Sequence, residues 1–137
     1  MKRLSVLLLF AFTLTVPQAI LAQEQKEPDL DEVISNMVEK FTRTYELDYV
    51  QVFRLDSVLQ ENYPKMMDEL EQARKYGAGI AESYQVVSDK WLDRTDKAIE
   101  EIFTPKQWER YMKSNYGKEK KNRDKRMAKR EAATSKQ

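Results

Sequence analysis

The chain has 137 residues, 24 Lys and Arg against 23 Asp and Glu, and neither cysteine nor histidine. Its length suits one domain. The missing cysteines exclude a disulfide scaffold, and the missing histidines remove the commonest zinc ligand and the usual general base. Near-neutral total charge hides a split. Residues 23–112 carry 12 basic and 20 acidic side chains, a net of −8, whereas residues 113–137 carry 10 basic and 3 acidic ones, a net of +7.

Met1-Lys2-Arg3 is a basic start, and Leu4 to Leu14 is apolar apart from Ser5 and Thr13. Val16-Pro17 breaks the run, and Ala19 and Ala22 supply small residues. This order predicts a secretory signal peptide over residues 1–22, cleaved after Ala22, with Ala19 as the alternative. The apolar run falls short of the ~20 residues that span a bilayer, so a soluble, exported protein is expected rather than an anchored one.

Residues 23–28 are polar, and Asp29 is placed to cap a first helix with Asp31 and Glu32 near its positive end. Leu30, Val33, Ile34, Met37, Phe41 and Tyr45 recur at threes and fours, one apolar stripe ending near Tyr45. Glu46-Leu47-Asp48 turns the chain into a second helix, striped by Val52, Leu55, Leu59, Tyr63, Met66, Leu70 and Ala73. Val50, Phe53, Val58 and Met67 widen that stripe. Pro64 falls inside it and predicts a kink near residues 60–63, or a full break with Asn62 capping the restart. Arg74, Lys75 and Gly77 suit the helix end, and residues 76–79 form a loop.

A third helix from about Ile80 carries Tyr84, Val87, Trp91, Ala98 and Ile102 on one side, widened by Leu92, Ile99 and Phe103, with Arg94 and Thr95 interrupting the face. After a second corner at Phe103-Thr104-Pro105, a fourth helix runs through Trp108, Tyr111 and Met112 towards Tyr116. The apolar pattern stops at Gly117. Residues 117–137 form a basic tail, read as a fraying helix or as disordered chain, following a helical domain over residues 23–116. The two long helices, roughly 28 and 24 residues, would measure ~42 and ~36 Å at 1.5 Å per residue. Stripes this wide on so thin a chain lead to the expectation of a homodimer, since burial returns ~25 cal/mol per Å².

The two corners share one device. Asp48 and Thr104 are N-caps, and Gln51 and Gln107 sit three residues on, where each side chain can close a capping box. Leu47 and Phe103 precede the caps and can staple onto Val52 and Trp108, while Pro105 occupies the first helical position at no hydrogen-bonding cost. In this reading Thr104 is the stronger half of its box, and Gln107 supplies only the reciprocal bond.

Leu47-Asp48-Tyr49-Val50-Gln51 and Phe103-Thr104-Pro105-Lys106-Gln107 resemble the repeated Leu-Thr-x-x-Gln motif of the Spy/CpxP-like group of exported helical proteins. The resemblance covers about Val33 to Tyr116 together with the signal peptide. Asp48 stands for the motif's threonine and Phe103 for its leucine, substitutions that keep the capping and stapling chemistry. The resemblance implies an all-α, thin four-helix hairpin array with long central helices, in an antiparallel homodimer. It further implies an ATP-independent periplasmic chaperone that holds unfolded or envelope proteins, or else an envelope-stress sensor or structural partner with one docking surface. The motif residues carry over as structural, with no catalytic role.

Candidate client-binding residues are the aromatic and methionine members of the wide stripes, Phe53, Tyr63, Met66, Met67, Tyr84 and Trp91, rimmed by Arg54 and Arg94. The competing reading places them in the core or a dimer interface. The basic tail suits solvated charge, attraction to the acidic body, or weak contact with an anionic membrane surface; export disfavours nucleic acid. No enzyme is expected. The carboxylate pairs Glu100-Glu101 and Asp93/Asp96 have spacings routine on a solvated helix. No glycine-rich phosphate loop or calcium-loop spacing implies a cofactor or metal.

Overall fold

A computed structural model describes residues 29–75 and 80–135. The expected signal peptide, the helix end at Gly77 and the 76–79 loop lie outside the described residues. Within them the protein is all-helical, with α1 (Leu30–Tyr45), α2 (Tyr49–Lys75), α3 (Ile80–Ile102), α4 (Pro105–Lys113) and α5 (Asn115–Thr134). The long helices α2 and α3 pack antiparallel, shown by the cross-helix pairs Glu61–Arg94, Asn62–Thr95 and Glu69–Trp91. Against this pair, α1 lies on α2 and α5 on α3, while α4 touches α1 and leads into α5.

Local chemistry sets the helix ends. Asp29 accepts from the Asp31 N–H, and α1 closes at Glu46, a left-handed residue (φ 56°) whose N–H reaches the Thr42 carbonyl. Helix α2 continues through Pro64 rather than breaking there. Proline deprives the Gln60 carbonyl of its donor, but Gln60 is exposed and water can serve it. Asn62, the alternative cap, is instead buried and donates its amide to Thr95 Oγ1 at 3.1 Å.

Five helices replace the expected four because Ser114 divides the last stretch. Its N–H bonds the Tyr111 carbonyl at 3.0 Å, ending α4, and its Oγ accepts from the Tyr116 N–H at 3.2 Å, starting α5. Gly117 sits in the first turn of α5 against the α4 backbone. A Cβ there would fall 2.3 Å from the Met112 carbonyl oxygen, so only glycine permits this approach.

One cluster forms the core: Ile34, Phe41 and Tyr45 of α1, Leu55 and Leu59 of α2, Ile99 and Ile102 of α3, Tyr111 of α4, and the corner residues Leu47 and Phe103. The Phe41 ring lies 5.1–6.4 Å from those of Tyr45, Phe103, Tyr111 and Tyr116. A single copy thus buries the middle of its stripes on itself, with Leu70, Tyr84 and Trp91 left half-buried and Phe53 and Met67 exposed. The extra cover comes from α5, which the composition of residues 117–137 did not suggest.

The tail helix docks by charge. Arg123, buried, pairs with buried Asp96. Arg126 grips Asp89 with two nitrogens, Nη2 at 2.7 Å and Nε at 3.2 Å, and Arg130 Nη2 adds a third bond at 2.6 Å. Burial alone would raise the Asp89 pKa, but the hydrogen bonds and charges of the two arginines outweigh it and hold the carboxyl below its ordinary value. Solvated charge thus describes only the outer face, where Lys118, Lys121, Lys125 and Lys129 are exposed.

Candidate functional site

The two corners meet. Each capping box forms as the spacing implies: the Asp48 N–H donates to Gln51 Oε1 at 3.1 Å and the Gln51 N–H to Asp48 Oδ1 at 2.9 Å. The Thr104 N–H donates to Gln107 Oε1 at 2.8 Å, and the Gln107 N–H to Thr104 Oγ1 at 3.3 Å. The side-chain amides then reach across. Gln51 Nε2 donates to the Ile102 carbonyl at 2.9 Å and to Gln107 Oε1 at 2.7 Å. Gln107 Nε2 donates to the Tyr45 carbonyl at 3.0 Å. Each glutamine satisfies an orphan carbonyl at the end of the helix that precedes the other corner. Gln107 therefore does more than complete its own box, correcting the ranking of Thr104 above it.

Trp108 stacks on Tyr111 (5.1 Å, 11°), and Tyr111 on Tyr116 (5.9 Å, 10°). The Tyr111 hydroxyl donates to Asp96 at 2.5 Å, and burial holds that phenol far above its ordinary pKa. These are structural arrangements; no step of chemistry is supported by them.

The client-binding candidates separate into three groups. Phe53, 72% exposed, and Arg54 line an open cleft of about 270 Å³ with Ser57, Val58, Ala98 and Ile102. Met67 and Tyr84 line a second cleft of about 310 Å³ with Leu70 and Arg74. Trp91 and Arg94 sit on α3 in a polar lattice. The indole Nε1 donates to Glu69 at 2.6 Å, Lys90 and Arg94 lie 5.0 and 5.5 Å from the indole ring, and Arg94 pairs with Glu61. Hydrogen bonds from Lys90, then from Trp91, keep the Glu69 carboxyl below its ordinary pKa.

Two candidates turn inward, one of them only in part. Met66 is buried, because the stripe it shares with Leu55 and Leu59 faces the interior. Tyr63 is half-buried and lines a partly open pocket of about 230 Å³, its hydroxyl 3.5 Å from Met37 Sδ. Sequence reasoning passed over Tyr49, which at 94% is the most exposed large apolar residue described, and gave Val50, 67% exposed, only as stripe-widening. The signal was in the register. Tyr49, Val50 and Phe53 fall in one turn, off the Leu55–Leu59–Met66 line that faces inward.

No protein-family model, curated protein or solved structure matches the chain. Among the described residues, no helix is long and apolar enough to cross a membrane, and no group of three acidic residues is arranged to hold a metal ion.

Proposed function

We propose that this protein is a non-enzymatic, ATP-independent binder of unfolded or envelope proteins in the periplasm, of the Spy/CpxP-like kind. The observation that carries the reading is the exposed turn Tyr49, Val50 and Phe53 at the start of α2, beside a cleft edged by Arg54. Leu55, Leu59 and Met66 carry the inward face of α2, and Tyr49, Val50 and Phe53 lie off that line. Large apolar groups beside a guanidinium suit segments that pair exposed apolar side chains with carboxylates. The reciprocal corners support the resemblance to the Leu-Thr-x-x-Gln proteins, and the outer lysines of α5 support weak contact with an anionic membrane surface.

The compactness of the patch favours a second reading, a sensor or structural partner with one docking surface, and a homodimer would use the same patch for itself. Aggregation of several unrelated unfolding proteins, followed with and without residues 23–137 and in the absence of nucleotide, tests the first reading. Tyr49→Ser with Phe53→Ser should keep the helix content and weaken the protection. If the unaltered protein protects none of the clients at a few-fold molar excess, general holding activity fails and the single-partner reading replaces it. Sedimentation equilibrium of the same samples tests the dimer.

A further inference from the structure

Helix α5 carries two sorts of basic residue on two sides. Arg123, Arg126 and Arg130 turn inward onto Asp96 and Asp89 of α3. Lys118, Lys121, Lys125 and Lys129 are exposed. At about 100° per residue they fall within about 80° of one another, a line ~16 Å long on the side away from α3. The division follows side-chain chemistry: a planar guanidinium suits a fixed carboxylate, whereas an ammonium is a hydrated point charge on a flexible stem.

The lysine line breaks a habit of this molecule. Each of α1 to α4 sets a basic side chain one turn from a carboxylate, in Arg43–Glu39, Lys65–Glu61, Lys97–Asp93 and Lys113–Glu109. The ion pairs of α5 use Lys120, Arg123, Arg126 and Arg130, and none of the four lysines in the line. Those four have each other instead, Lys118 and Lys121 three residues apart and Lys121, Lys125 and Lys129 four. Like charges at these spacings oppose the helix. Glu119, Asp124 and Glu131 lie about 100° or more round α5 from the middle of the line, and Asp124 is engaged by Lys120. Docking on α3 accounts for the arginines but not for the lysines.

We propose that this line seats the protein on an anionic lipid surface and leaves the Tyr49–Phe53 patch facing away from it. The partner's chemistry follows from what the line lacks. It has no aromatic side chain to stack on a nucleobase, and neither the aromatic nor the arginine anchors that grip a defined protein site. A fluid sheet of phosphates needs neither, because it receives hydrated point charges without a fixed geometry. The orientation comes from α3. Asp89 and Asp96 face α5, and Ala98 and Glu101, which line the cleft beside Phe53, lie about 130–170° round the same helix. Lysine line and apolar patch thus open on opposite sides of the molecule. The membrane contact proposed above gains a site and a direction, and the use of that direction rests on the protein-holding reading.

Residues 23–137 contain every described residue and omit the apolar run Leu4–Leu14. They are floated with phosphatidylcholine vesicles, with and without about one-third phosphatidylglycerol. Each lysine near an anionic surface is worth about fivefold in partitioning, so Lys121→Gln with Lys125→Gln should bind about 25-fold more weakly, with unchanged helix content. Binding should fade as salt rises from ~0.05 to ~0.5 M and be absent on phosphatidylcholine alone. The cysteine-free chain accepts single labels. A fluorophore at Asn122→Cys, beside the line, should be quenched by a headgroup quencher on bound vesicles, and one at Ser57→Cys, in the Phe53 cleft, should not. No binding, equal binding to both vesicles, no loss in the double variant, or equal quenching at the two labels would each overturn the proposal. Binding to soluble polyglutamate without binding to vesicles would also overturn it, making the line a protein-docking surface. Tyr49→Ser with Phe53→Ser should keep the lipid contact while weakening client protection, so that failure of one activity is read apart from failure of the other.

Discussion

Replacing Gln51 by alanine tests whether the crossed corners hold the fold together. The side chain is only 8% exposed and makes three contacts: it accepts from the Asp48 N–H, donates to the Ile102 carbonyl, and pairs reciprocally with the Gln107 side-chain amide. At ~1 kcal/mol net for each bond, the loss is ~3 kcal/mol, with more to come where the buried Ile102 carbonyl finds no water. Thr104→Ala removes one exposed bond and an N-cap, at ~1 kcal/mol. Gln107→Ala should resemble Gln51→Ala, since it loses the Thr104 N–H, the Tyr45 carbonyl and the partner amide. In urea, a slope of ~2 kcal/mol/M turns ~3 kcal/mol into a midpoint lowered by ~1.5 M, about three times the Thr104→Ala effect. Because the glutamines bond each other, the double variant should cost ~1–2 kcal/mol less than the sum of the single ones. A Gln51→Ala cost no greater than that of Thr104→Ala, or two glutamine effects that simply add, would refute the crossed arrangement.

Gly117→Ala should destabilise by ~1–3 kcal/mol despite alanine's better helix propensity, because the new methyl meets Met112 backbone rather than a movable side chain; a raised urea midpoint would contradict the close approach of α4 and α5. Arg126→Ala with Arg130→Ala strands the Asp89 carboxylate, 2% exposed, and should cost ~3–5 kcal/mol by thermal melting, whereas a loss below ~1 kcal/mol would mean that α5 does not dock as described. The Asp89 pKa is depressed in the folded state, so its stabilisation is present at neutral pH and lost as pH falls below ~4 through the lowered value. Helix content followed from pH 7 to 2 should fall along an acid limb that Asp89→Asn flattens; an unchanged limb would exclude Asp89 from it.

Helix identity was legible because apolar residues recur at threes and fours and because caps are local chemistry. Both capping boxes formed with the residues that the spacing named. What the spacing could not give was the partner of each glutamine amide, since a bond from Gln107 to the Tyr45 carbonyl spans 62 residues and depends on packing. The docked tail was hidden for a related reason. Asp89 and Asp96 stand seven residues apart on α3, and Arg123, Arg126 and Arg130 show helical spacing on α5, yet composition registers only an acidic body and a basic end. Charges grouped by helix face, like the apolar stripes, pair these residues. Met66 and Phe53 share one widened stripe in the sequence but diverge in the structure, because a stripe wider than its contact does not say which edge stays outside.

The reciprocal corners carry a consequence for how copies of this chain can exchange. Gln51 serves the end of α3 while Gln107 serves the end of α1, the relation that a twofold axis imposes on a dimer. An isologous contact is thus folded into one polypeptide. Nothing in those hydrogen bonds distinguishes a corner on the same molecule from one on a neighbour. The contact stays internal because one chain joins the halves, at an effective concentration that free chains rarely reach. Refolding at high protein concentration is therefore expected to give swapped dimers, read as doubled mass with unchanged helix content. A mass that stays monomeric at every concentration would show that the two halves do not separate far enough to trade partners.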